Sequence, residues 1–169
     1  MLAGTHALMP VCACLLADQW SVASGQGRKF SMAGLGTIAV FGVLPDLCTP
    51  HISLEARLTS WSHTVWFMAG LVPVVALLAT VFEPGSRLRM ALVLWLASGL
   101  HLVADAVSGG IAWLYPWRDD VMGRAWIQAQ YWIAFDAFFI LLAWVLLRVL
   151  PHLEARRIRA GSKTESPSA

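Results

Sequence analysis

Charge is scarce in this chain. Of its 169 residues only 13% are Asp, Glu, Lys or Arg, against 58% hydrophobic, and the mean hydropathy is +0.65. Such a balance excludes an ordinary soluble domain of this length and implies an integral membrane protein. The basic residues leave a net charge of only +2 and form no stripe interleaved with aromatics, so nucleic acid is not an expected partner. Cysteine is sparse too. Cys12, Cys14 and Cys48 are odd in number, and the first two, two apart on a helix, face different directions, which predicts neither a disulfide nor a zinc knuckle. A basic n-region is missing: the first charged residue is Asp18, so the first apolar segment is expected to be retained. There is no internal repeat and no separate soluble domain.

What is present is a series of apolar runs. Residues 5–20, 31–47, 63–82, 88–107 and 126–150 predict an all-α, polytopic membrane bundle of about five transmembrane helices. Pro45, in Leu44-Pro45-Asp46, is expected to end the second, and Glu83-Pro84-Gly85-Ser86 is a turn. Asp18 and Glu83 read as solvated helix ends, and His51 as a loop residue. The membrane domain is expected over 1–151. Residues 152–169, with His152, Arg156, Arg157, Arg159 and Lys163, read as a basic, disordered tail that faces anionic lipid heads. Cations between spans one and two, between three and four, and after span five all fall on one side. Only Arg57, Arg118 and Arg124 fall on the other, which predicts an outside N-terminus and a cytoplasmic C-terminus. Trp61, Trp66, Trp113, Trp117 and Trp126 then form an outer interfacial belt.

One stretch, from Gly99 to Trp117, carries chemistry. His101 and Asp105 stand four apart, which on a helix puts both on one face, and Gly109, Gly110 and Pro116 stop that helix just beyond them. With alternating spans, His6, Asp46 and His63 reach the same outer face. Ionisable groups at the edge of a bundle are costly, and imidazoles with carboxylates are the ligands of zinc and similar divalent ions. Asp136, inside span five, either orients a ligand histidine or makes a polar contact between helices.

Thr5-His6, Leu44-Pro45-Asp46, His63 after a polar loop, and His101-x-x-x-Asp105 followed by glycines and Tyr115-Pro116 resemble the YdjM-like membrane-bound metal-dependent hydrolases of bacterial inner membranes. The resemblance covers roughly residues 1–117. It implies a multi-pass protein of the bacterial inner (plasma) membrane, with His6, Asp46, His63, His101 and Asp105 as metal positions and Asp46 and Asp105 as catalytic carboxylates. Where the family commonly reads Leu-Pro-Asp-x-Asp-His-Pro, this chain has Leu44-Pro45-Asp46-Leu47-Cys48-Thr49-Pro50. Cys48 stands where a carboxylate is lost, and one ion is expected rather than two. Where the family commonly reads Arg-Gly-x-Thr-His-Ser, this chain has Thr59-Ser60-Trp61-Ser62-His63-Thr64, leaving Arg57 and Arg118 to hold an anionic substrate. The expected activity is hydrolysis assisted by a divalent ion, zinc in the first instance, near the outer interface and on a lipid or lipid-linked phosphoester. The alternatives are a metal or proton transporter and a non-catalytic degenerate relative.

Overall fold

The apolar runs become five α-helices in a computed structural model that describes residues 2–49, 55–82 and 84–152. They are α1 (Ala3–Ala23), α2 (Met32–Cys48), α3 (Val65–Ala79), α4 (Arg87–Ser108) and α5 (Trp132–Trp144), the last continuing through a π-helical turn, Val145–Val149. Among the described residues no strand forms; Ile111 and Met122 make an isolated antiparallel bridge. The expectations for His51, for Glu83 and for Arg156, Arg157, Arg159 and Lys163 fall outside the described residues.

Local chemistry sets the helix bounds. Ser31 Oγ accepts the Gly34 N–H at the start of α2, and Thr64 Oγ1 accepts the Phe67 N–H at the start of α3, so each is an N-cap. Capping by Thr64 starts α3 two residues later than the apolar run predicts and leaves His63 in a 3-10 turn, Trp61–His63. Pro45 does not end α2 but lies inside its last turn. The fifth helix starts after residue 126 because Trp126 is engaged elsewhere: its N–H donates to the Val107 carbonyl at the end of α4, 3.0 Å away. Arg124 N–H does the same for Ala106 at 3.1 Å, so the loop after α4 folds back and satisfies terminal carbonyls the helix itself leaves open. Gly123 permits this return: its φ is +110°, and any side chain there would strike the Ala106 carbonyl. Val65 N–H reaches Trp113 O at 3.0 Å, tying the same loop to α3.

In the packing, α4 lies against both α2 and α3, and α1 against both α2 and α5. Ile38, Leu94 and Leu102 are fully buried at the centre. By contrast α5, the strongest apolar run, buries only Ala143 before its π turn. Apolar surface of that extent is stable in lipid and not in water. Among the described residues two helical segments are long and apolar enough to cross a membrane, Pro84–Ser108 and Ala129–His152; Met32–Cys48 and Val65–Ala79 are shorter apolar helices.

Candidate metal centre

The centre is built on one face of α4. Ser98, His101 and Asp105 follow at helical spacing and are all buried. Two prolines prepare the surfaces that α2 and α1 present to it. Pro45 has no N–H to offer the Phe41 carbonyl four residues back, and that carbonyl instead accepts the hydroxyl of Ser98 at 2.8 Å. One residue on, Gly42 O lies 2.8 Å from His101 Nδ1. Pro10 likewise leaves the His6 carbonyl without its helical partner, and this oxygen abuts Gly42, where even a methyl group would overlap it. Helices α1, α2 and α4 therefore meet at Gly42.

These contacts fix the histidine tautomers. A carbonyl only accepts, so the neutral His101 ring carries its proton on Nδ1 and leaves Nε2 with a lone pair. His63 Nδ1 lies 3.2 Å from both Ser60 Oγ and Ser62 Oγ, and Ser62 directs its own proton to Pro45 O at 2.7 Å, which leaves Ser62 Oγ to accept from the ring. His63 Nε2 is thereby unprotonated as well. The two bare Nε2 atoms face each other at 3.3 Å.

Two carboxylates close on the same point. Asp46 Oδ1 lies 3.3 Å from His63 Nε2 and 3.4 Å from His101 Nε2, and Asp105 Oδ2 lies at 3.3 and 3.4 Å from the same two atoms. Four electron-rich atoms this close repel one another unless a cation stands among them. Ligands about 2.0–2.1 Å from a zinc-like ion, arranged tetrahedrally, are separated by about 3.3–3.4 Å. Asp46, His63, His101 and Asp105 thus fit a divalent ion by donor type and by spacing. Where no cation stands, a proton takes its place: burial lowers the pKa of His63, but hydrogen bonds from the protonated Nε2 to Asp105 and Asp46 outweigh it and hold the pKa above the ordinary histidine value. Carboxylates that draw a proton to this ring would equally draw a metal cation.

Exposure separates the four. His63 and His101 are fully enclosed and Asp105 nearly so, whereas the Asp46 side chain is 32% exposed and forms the open side. The second oxygen of Asp105 faces inward, 3.0 Å from Arg57 Nη1 and 3.3 Å from His6 Nε2. Arg57 is buried, so its charge reaches Asp105 through little water. His6 stands outside the four-atom set and stacks on His101, with ring centroids 3.8 Å apart.

Other expected positions lie farther away. Asp136 accepts both the backbone N–H and the hydroxyl of Thr5, so it anchors the first turn of α1 one residue before His6. Cys48, the last residue of α2, is an exposed free thiol. Arg118 pairs at the surface with Asp120, at 2.7 Å. Asp18 is buried, not solvated, because the chain after α1 turns back and gives it the Lys29 N–H at 2.7 Å. Sequence reasoning missed Ser60, Ser62, Ser98 and Gly42. Ser98 alone carried a signal, three residues before His101 on the same helical face.

Beside His63, Trp61, Trp66, Phe67, Tyr115 and Trp117 line an apolar groove of about 480 Å³. Trp61, Trp66, Trp117 and Trp126 are all largely exposed. A family model described as YdjM inner membrane protein matches residues 1–165. No curated protein and no solved structure matches the chain.

Proposed function

This chain belongs to the YdjM inner membrane protein family, and on that premise we propose that it is a membrane-bound, metal-dependent hydrolase whose ion is held by His63, His101 and Asp105. The observation that carries the reading is the convergence of two histidine Nε2 atoms and two carboxylate oxygens at 3.3–3.4 Å. A divalent ion there supplies the Lewis acidity and activated water that hydrolysis at neutral pH needs.

The residues divide the remaining work. His101 and His63 present Nε2 because Gly42 and the Ser60–Ser62 pair hold their Nδ1 protons, a constraint that fixes ring orientation. Asp105 binds through Oδ2 while Arg57 and His6 hold Oδ1. Asp46 occupies the open corner, where it takes up the proton of the attacking water as general base. Two carboxylates, one divalent ion and the Arg57 guanidinium leave one positive charge in excess, which favours an anionic phosphoester over a neutral ester. The aromatic groove beside His63 supports a lipid or lipid-linked substrate, with the apolar chain against Trp66 and Trp117. In this reading the helices span the inner membrane about five times, and the centre faces the outer leaflet, opposite the cation-rich end of α4.

The test is metal content and phosphoesterase activity of the purified full chain, in wild type, Asp105→Asn and Asp46→Asn. Asp105→Asn is expected to lose both. Asp46→Asn is expected to keep the ion and lose turnover. A folded wild type that binds no divalent metal at micromolar concentration would falsify the proposal.

A further inference from the structure

At the opposite end of the bundle, α1–α2 and α3–α4 connections enclose a second cavity. It measures about 370 Å³ and is lined by Arg28, Lys29 and Arg89, together with Ser31 and Ser86. Arg89 is set in place from two sides: its Nη2 donates to the Lys29 carbonyl at 2.9 Å, and its guanidinium carbon lies 5.6 Å from the centre of the Phe30 ring. Its Nε is buried with no hydrogen-bond partner among the described residues. None of the three cations is ion-paired among the described residues. Asp18, a nearby acid among the described residues, accepts the backbone N–H of Lys29 rather than its ammonium. Helices α2 and α4 both begin at this cavity without an acidic residue in their first turns, so their open N–H groups add to its positive potential.

We propose that this cavity is a binding site for a phosphate group, of the kind carried by an anionic phospholipid headgroup. Among the described residues none of these cations meets a counter-charge, so an anion seated between them gains from all three, and Arg with Lys is the donor set that phosphate selects. The cavity's remaining wall includes Phe82 and Met90, an apolar shoulder suited to the glycerol and first methylenes of a lipid. His101 is twelve residues along α4 from Arg89, about 18 Å at 1.5 Å per residue, so the site is separate from the metal centre and does not depend on that reading.

Native mass spectrometry of the full chain in detergent, with phosphatidylglycerol competing against phosphatidylcholine, tests the site. Wild type is expected to retain phosphatidylglycerol preferentially, and Lys29→Gln and Arg89→Gln to weaken that retention by about tenfold each. Arg89→Lys, which keeps the charge, is expected to recover part of it. Arg87→Gln is the control: Arg87 carries the same charge at the same end but is not in the cavity wall. A second arm adds inorganic phosphate. Displacement of the lipid at millimolar phosphate assigns the site to the free anion, and resistance to it assigns the site to the lipid; either outcome supports a phosphate site. Equal retention of both lipids with no phosphate bound, or an Arg87→Gln loss as large as that of Arg89→Gln, overturns it.

Discussion

The two ends of α4 are opposites. At one, Ser98, His101 and Asp105 are buried and each is fixed by a named partner on another element. At the other, Arg87 and Arg89 stand at a more open surface and touch chiefly backbone carbonyls. A single helix thus carries a dense, enclosed polar centre and a loose, cationic rim. The difference teaches that polarity in this bundle is organised by how many neighbouring elements converge. Three helices and two 3-10 segments, Glu55–Thr59 and Trp61–His63, meet around Asp105, whereas two connections border Arg89.

The strongest way to break this contrast is to strip the enclosed end. If the proposed centre holds a divalent ion, His101→Ala or Asp105→Asn is expected to lower its affinity well beyond the roughly 100-fold that outer partners command, read by competition with a chelator. Next comes the helix junction: Gly42→Ala drives a methyl into the His6 carbonyl, and an overpacked contact of this kind costs about 1–3 kcal/mol, measurable as a lower unfolding temperature in detergent. Ser98→Ala, which orphans the Phe41 carbonyl, is expected to cost about 1–3 kcal/mol as well, and a metal titration should show weaker binding through a less constrained His101. Asp136→Asn removes charge from the anchor of α1 and is expected to cost about 1 kcal/mol with metal still bound. Smallest is Arg87→Gln at the rim, within about 0.5 kcal/mol of wild type. A large loss there would contradict the contrast itself.

The legible part of the molecule was local. Four-residue spacing put His101 and Asp105 on one helical face, and the apolar runs marked α1 to α5. The up-and-down order of the apolar runs brought Asp46 and His63 to the same end. What stayed hidden depends on distant approach. Nothing near Asp18 in the chain foretells its burial, because Lys29 N–H reaches it only after a turn. Pro45 reads as a stop signal, yet it is tolerated inside α2 because Ser98, far along the chain, uses the carbonyl it exposes. Trp126 looks like the first residue of a span, but its N–H is spent on closing α4. Arg57 had only its proximity to His63 in sequence; the structure puts its guanidinium on Asp105.

Pro45 also bears on the order of biosynthesis. The carbonyl it uncovers at Phe41 waits for a donor 57 residues downstream, so a chain translated only through α2 has a bare oxygen in the last turns of that helix. A nascent chain halted before Ser98 lacks the donor for that carbonyl. Completion of the fourth helix is therefore the step that satisfies it, and the proline that exposes the oxygen becomes a joint between α2 and α4.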